Sequence, residues 1–325
     1  MSDTSSPGLH SLLLDGRGGA RHLSAEERAA WLPEQGMLWV HMDYTRPDDR
    51  QWLETGSGLD ELIVEALLAE ETRPRATNVD GGLLIALRGV NLTPGAEPDD
   101  LVALRLWVDR HRIVSTRRRR LLSVGDVVET LDAGNGPHDS AQCLVELIDR
   151  LVSRMNDIVD QFEDRVAELE DRIVEEGSAS MRYDLATLRR QAITLRRYLA
   201  PQREALSRLI TVMAGWLDDS GLLRLREVGD RLVRHIEDLD AVRERAAVVQ
   251  EELLSRMSEQ MNSRMYVLSV VAAIFLPLGF LTGLLGINVG GIPGADYPLA
   301  FLMFIGMLVV VVILQFLVFR WRNWL

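Results

Sequence analysis

Small and polar residues recur on one helical stripe of an apolar segment near the C-terminus, whereas bulky residues such as Val267, Ile274 and Leu281 lie opposite. Hydroxyl and amide oxygens are hard ligands that suit cations. The apolar segments at 265–319 contain neither Cys nor His, which tight zinc binding favours. The stripe allows two interpretations, close helix packing through small residues or the lining of a pore. Its members are Ser258, Asn262, Met265, Ser269, Ala272, Leu276, Gly279 and Gly283.

A glycine-rich connection, residues 286–297, follows this segment and is too short to form a domain. From composition alone it fits a tight hairpin loop, with Gly286, Gly290, Gly291 and Pro293 setting its backbone. Asp296 is its sole carboxylate. Two interpretations of Asp296 stay open, an acidic group that attracts cations and a solvated loop residue.

Other candidate groups are scattered. His235 stands close to Glu237 and Asp238 and could bind zinc, although a single histidine on a long exposed helix usually does not. The run of four arginines at 117–120 could indicate nucleic acid, but it lacks interleaved aromatic residues. Cys143 is the only cysteine, so an intrachain disulfide is excluded and a buried apolar role is expected.

Composition narrows the classes of function. The net charge is −12, which argues against nucleic acid as the main partner and suits cations. All 36 cationic side chains are arginine, so lysine base or Schiff-base chemistry is excluded. No nucleophile–base pair, phosphate-binding loop or metal-ligand cluster is evident. The sequence therefore predicts a protein that is not an enzyme and has no cofactor.

The first part of the chain, residues 1–138, is predicted to be a cytoplasmic α+β domain. Short apolar runs predict strands at 9–14, 37–42, 83–90, 101–108 and 113–116. Between them, Ser24 and Glu27 have the spacing of a capping box, and residues 59–68 have helical periodicity. No apolar run near the N-terminus is long enough for a signal peptide.

A helical arm at 139–221 and a stalk helix at 222–264 are predicted to follow. The arm starts with a long amphipathic helix at 139–176, which is rich in acidic residues. Its second helix spans about 180–217, with Pro201 as an expected kink or restart. The stalk is expected to continue into the membrane without a break, because no proline occurs from Leu222 until Pro277.

The last part, residues 265–325, is predicted to cross a bilayer twice. Spans at about 265–285 and 298–319 are long enough for about 30 Å of hydrocarbon. Arg256 and Arg264 precede the first span and Arg320 and Arg322 follow the second, while the connection has no arginine. Positively charged flanks favour the cytoplasmic side, so both termini are predicted to be cytoplasmic.

The end of the first span carries a family resemblance. Gly286, Ile287 and Asn288 resemble the Gly-Met-Asn signature of CorA-type magnesium channels, and residues 275–279 resemble their first span. The isoleucine and the following residues 290–294 are similar to the zinc-transporting ZntB branch. The order of α/β domain, arm, stalk and two spans also fits this family, although the chain has Gly279 where the family often has threonine.

The resemblance implies a funnel-shaped homopentamer in the inner membrane, because two spans from one chain cannot enclose a pore. It implies that the stripe lines the pore and that Asn288, with the Gly286 carbonyl, holds a cation at the outer mouth through hydrating water. Zinc uptake is the leading expectation. A magnesium or cobalt channel, with nickel as a further ion, and a membrane-anchored coiled-coil scaffold or sensor are the alternatives.

Overall fold

The protein is described from a computed structural model that covers residues 9–79, 81–175, 179–286 and 297–322. The chain forms two compact units, Met1–Glu251 and Glu252–Leu325. The first unit therefore contains the predicted α/β domain, the arm and most of the stalk. The division of the chain into four segments remains a prediction.

The first unit is built on a seven-stranded mixed sheet in the order β2-β1-β3-β7-β6-β5-β4. β3 and β7 are parallel, and the other neighbouring strands are antiparallel. The strands are β1 (Leu9–Leu14), β2 (Ala20–His22), β3 (Met37–Asp43), β4 (Arg75–Val79), β5 (Gly82–Val90), β6 (Leu101–Val108) and β7 (Arg112–Arg117).

All five predicted strands are confirmed, as β1, β3, β5, β6 and β7. The two strands without a prediction are the sheet edges, β2 and β4. β2 has three residues, and β4 reads Arg-Ala-Thr-Asn-Val, so neither has the apolar alternation of a half-buried strand. Edge strands are commonly short or polar because they must not pair with other chains.

Short helices cover the sheet. They are α1 (Ala25–Ala29), α2 (Pro47–Gln51), α3 (Glu61–Leu68) and α4 (Leu122–Asp132). The predicted capping box is confirmed at α1, where the Glu27 backbone N–H donates to Ser24 Oγ (3.1 Å) and the Ser24 N–H donates to Glu27 Oε2 (2.8 Å). The buried side chains of α3, which include Ile63 and Leu67, pack with the sheet residues Val40 and Trp107.

Three long helices follow, α5 (Ser140–Glu175), α6 (Ala179–Met213) and α7 (Asp219–Gly286). The predicted restart at Pro201 is wrong, because α6 continues through this residue. The predicted continuity of stalk and first span is confirmed, since α7 is one helix of 68 residues. At about 1.5 Å per residue it is about 100 Å long. Regularly spaced buried residues of α7, such as Leu225, Leu232, Leu239 and Ala246, fix its packing in the first unit.

The second unit contains the end of α7 and α8 (Ala300–Trp321). The less exposed residues of α7 here recur at Val270, Ala273, Ile274, Pro277, Leu278 and Leu281. Those of α8 recur at Ala300, Phe304, Leu308, Val311, Gln315 and Phe319. Both sets have helical spacing, so each helix turns one face toward the other helix and leaves the rest of its surface exposed.

Candidate functional site

The second unit exposes an unusual amount of apolar surface. The apolar parts of α7 and α8 are each long enough to cross a membrane, and none of their most apolar residues is buried within the chain. Leu276 is 77% exposed and Phe301 is 72% exposed. Soluble domains rarely present apolar patches of this extent. The two predicted spans therefore have the length and the surface of membrane-crossing helices.

The eight residues of the predicted stripe are all exposed in the single chain. The α7 residues shielded from solvent belong to another face, which includes Ala273, Pro277 and Leu281. The small residues Ser269, Gly279 and Gly283 are thus not used to pack the two spans of one chain together. A Cβ atom added at Gly279 or Gly283 would meet no described atom within 4 Å. Among the residues that the structure describes, the stripe therefore stays exposed.

The hydroxyl groups of the first span bond to their own helix. Ser269 Oγ donates to the Met265 carbonyl oxygen at 2.8 Å, and Thr282 Oγ1 donates to the Leu278 carbonyl oxygen at 2.9 Å. Back-bonding of this kind is how serine and threonine satisfy their hydrogen inside apolar helices. The oxygen of Ser269, on the stripe, keeps lone pairs that can accept a hydrogen bond from a hydrated cation.

Gln315 makes a polar contact between the spans that no sequence pattern predicts. Its Nε2 donates to the carbonyl oxygen of Ala273 on α7 at 3.2 Å. Ala273 lies four residues before Pro277, and proline has no N–H group for that carbonyl. Gln315 therefore supplies the donor that the helix itself cannot provide.

The predicted mouth lies at the C-terminal end of α7. Gly286 is the last residue of the helix and is exposed. The other predicted residues of the mouth and loop lie outside the described residues: Ile287, Asn288, Gly290, Gly291, Pro293 and Asp296. Their roles remain predictions.

Arginines of α7 pair with the acidic residues of the arm. Arg224 contacts Glu146 at 2.6 Å and Asp149 at 2.7 Å, and Arg231 contacts Asp149 at 2.8 Å. Burial raises the pKa of Asp149, but the hydrogen bonds from Arg224 and Arg231 outweigh it and hold the pKa below its usual value. Some of the acidic side chains of the arm therefore form ion pairs that join α5 to α7. Sequence reasoning missed this, because the partners are at least 75 residues apart.

His235 is buried, in contrast to the exposed helix face expected for it. It is 3% exposed, and its Nε2 has no hydrogen-bond partner among the described residues. Burial lowers its pKa, which the nearby Asp238 opposes only in part. In the described part of the chain, no three His, Cys, Asp or Glu side chains are grouped as metal ligands. The geometry fits a neutral histidine of the stalk that is packed within the first unit.

The remaining candidates, the arginines at 117–120 and Cys143, have surroundings that favour a role in the fold. Arg117 is buried, and the carboxylates of Asp43 and Asp49 act on it electrostatically, while Arg119 forms an ion pair with Asp100. Two of the four arginines in the run at 117–120 therefore interact with carboxylates of the same domain. Cys143 is fully buried, as predicted, and burial raises the pKa of its thiol.

Comparison with known proteins agrees with this architecture. Residues 34–321 match the family described as CorA-like Mg²⁺ transporter protein. The divalent cation transporter CmaX of Pseudomonas aeruginosa is 40% identical over 327 residues, which cover 98% of this chain and 96% of that protein. The zinc transport protein ZntB of Yersinia enterocolitica is 39% identical over 308 residues, covering 95% and 93%. The solved structure of full-length CmaX superposes with a TM-score of 0.84 at 39% identity and covers 99% of this chain and all of the other. The chain therefore belongs to the CorA-like Mg²⁺ transporter family.

Proposed function

We propose that the protein transports divalent cations across the inner membrane through a pore lined by the stripe of α7, and that zinc is the ion it takes up. The exposed, small and polar character of this stripe is the observation that carries the proposal. In a ring of copies, the stripe is an exposed surface of the first span with mostly small or polar residues, and it could face a shared axis. The names of the ZntB relatives, as zinc transport proteins, favour zinc.

The chemistry of the stripe suits passage of a hydrated ion. Its polar atoms are hydroxyl, amide and thioether groups, and a hydrated divalent cation can exchange hydrogen bonds with the first two. Sites that retain zinc use Cys or His, which residues 265–319 lack. Asn288 at the outer mouth would complete the path, with its amide oxygen orienting the hydration shell. Weak binding along the path is what rapid transport requires.

Assembly and topology are part of the same proposal. A funnel-shaped homopentamer surrounds the pore, and both termini lie in the cytoplasm. Native mass measurement in a gentle detergent should give five copies, and monomers or dimers alone would contradict the proposal. A reporter fused after Leu325 should stay inaccessible from outside intact cells.

Zinc uptake into liposomes that contain the purified protein is the direct test, with magnesium or cobalt as competitor and a pH gradient as variable. Ser269→Leu should block the path, because it places a bulky apolar side chain on the stripe. Val271→Leu is the matched control, since Val271 is exposed on another side of the same helix. We expect about a tenfold loss of uptake for the first and near wild-type uptake for the second. Equal uptake by both would reject the stripe as pore lining.

Magnesium is the second candidate ion. The matching family is described by Mg²⁺, and the groups of the stripe are ligands that hard cations accept. If magnesium enters the liposomes and zinc does not compete, the protein is a magnesium channel. If no divalent cation enters under any pH gradient, the transport proposal fails.

A further inference from the structure

One carbonyl group of α7 depends on the second span for its hydrogen bond. In a regular helix, the N–H of residue 277 would donate to the carbonyl of residue 273. Pro277 has no N–H, so the Ala273 carbonyl oxygen lacks that donor. Gln315 Nε2 lies 3.2 Å from this oxygen and donates to it.

The hydrogen bond matters because the spans are predicted to lie in hydrocarbon. Hydrocarbon contains no water to satisfy a free carbonyl, so a proline inside a membrane helix needs a donor from elsewhere in the protein. Gln315 is the one polar side chain between Ala300 and Phe319, where all other residues are apolar or glycine. A polar side chain is costly at that depth and is usually kept for a function.

The bond lies directly behind the stripe. The stripe residues Leu276 and Gly279 lie one position before and two positions after Pro277, while Ala273 and Pro277 belong to the face partly shielded from solvent. The contact therefore ties α8 to α7 where a bulky stripe residue, Leu276, is followed by one without a side chain.

We infer that Gln315 is a positioning residue for transport, which holds α7 at Pro277 so that Leu276 and Gly279 keep their places along the path. The inference rests on the proposed function, because it assigns Gln315 a role in the pore that the stripe lines. Gln315 touches no ion. It acts by fixing the helix that does.

The structure also indicates which replacements keep the contact. The Gln315 Oε1 is buried and has no hydrogen-bond partner among the described residues, so the nitrogen alone makes the bond to α7. Glutamate has the same length, and in its protonated form it retains one donor. Leucine has a similar volume and no donor.

A double-mutant cycle in the full-length protein tests the inference, with Gln315→Leu, Pro277→Ala and the double variant. Pro277→Ala restores an N–H for the Ala273 carbonyl, so the loss of Gln315 should matter less in that background. In detergent, Gln315→Leu should lower the melting temperature in the wild-type background by more than in the Pro277→Ala background. In liposomes it should reduce the maximal uptake rate about threefold to tenfold, while the half-saturating cation concentration changes little.

Two further variants separate positioning from general damage. Phe316→Leu, at an exposed neighbour on α8, should leave uptake and melting near wild type. Gln315→Glu should recover uptake at acidic pH, where the carboxyl is protonated, and lose it at alkaline pH. Such a rescue by the conservative variant would tie transport to the donor at position 315 and not to the volume of its side chain.

The outcomes are distinct. Equal melting effects of Gln315→Leu in both backgrounds, or wild-type uptake by Gln315→Leu, would overturn the inference. If the wild-type protein moves no divalent cation, the proposed function and the role of Gln315 in it fall together. The melting cycle would then still show whether the hydrogen bond to Ala273 stabilises the paired spans.

Discussion

Gln202 on α6 hydrogen-bonds with both ends of its side-chain amide to the backbone of Arg88 on β5. The Arg88 N–H donates to Gln202 Oε1 at 2.7 Å, and Gln202 Nε2 donates to the Arg88 carbonyl oxygen at 3.2 Å. The paired register of β4 with β5 stops at Ala86, so no β4 residue pairs with Arg88. The buried Gln202 thus replaces the missing strand and joins the arm to the sheet.

We therefore expect Gln202→Leu to destabilise the protein strongly. It leaves two backbone groups without partners, at about 1 to 3 kcal/mol for each group that stays buried. Thermal melting of the purified protein measures the loss. Arg203→Leu is the control, because Arg203 is an exposed neighbour that pairs with Glu204 on its own helix. Similar melting temperatures for the two variants would contradict this role of Gln202.

The ion pairs of Asp149 predict how stability depends on pH. Because its pKa is lower in the folded than in the unfolded protein, the unfolded state binds more protons at acidic pH. The stabilisation is present above the unfolded pKa of about 3.9 and is lost as pH falls through the folded value. Asp149→Asn should cost about 1 to 2 kcal/mol at pH 7 and progressively less as pH falls toward the folded pKa. Melting curves across this range provide the test, and a constant difference at every pH would refute it.

The burial of His235 predicts a second effect of pH on stability, in a higher pH range. Its folded pKa lies below the ordinary value of 6.5, so folding favours the neutral ring. Stability is unaffected well above pH 6.5 and decreases as pH falls below it, since the unfolded state is protonated first. His235→Gln keeps a donor but cannot titrate, so its melting temperature should fall less between pH 7.5 and pH 5.5. His10 and His41 also have lowered pKa values, so part of the slope will remain.

Asn288 gives the sharpest prediction for transport. If the proposed function holds, Asn288→Ala should nearly abolish cation uptake in liposomes without changing assembly or melting, because the proposed ring of amide oxygens would orient the hydration shell and would support no core. Val289→Ala is the control. If Asn288 instead only capped a helix end, Asn288→Asp should keep activity and Asn288→Ala should cost about 0.5 to 2 kcal/mol of stability. Wild-type uptake by Asn288→Ala would remove it from the mouth.

Much of the fold could be predicted because burial leaves a periodic trace in the sequence. The five inner strands and the long helices follow from runs such as Leu101–Val108 and from the regular apolar spacing of α5 and α7. The edge strands could not be found, because only one neighbour constrains their residues. Helix α4 was also missed, since Gly125 and several valines lower its helix propensity and packing overrides this.

The candidate site likewise has features that could be predicted from the sequence and features that could not. The stripe was readable because helical spacing alone puts Ser269 and Gly283 on one side of α7. The hydrogen bond from Gln315 to Ala273 could not be predicted, because it joins residues 42 positions apart. The proline was visible in the sequence, but nothing local indicates which side chain satisfies the carbonyl it leaves. The proposed arrangement of Asn288 around a mouth would depend on other copies of the chain.

The burial of Cys143 has a practical consequence. A thiol that is fully shielded and whose pKa is raised forms little thiolate, so it reacts poorly with maleimides and methanethiosulfonates. The natural chain is therefore already a background for single-cysteine scanning. Each residue of the α7 stripe can be replaced by cysteine in turn, with no other native residue changed. Its reaction rate from either side of the membrane, with and without zinc, would show whether a water-filled path follows the stripe.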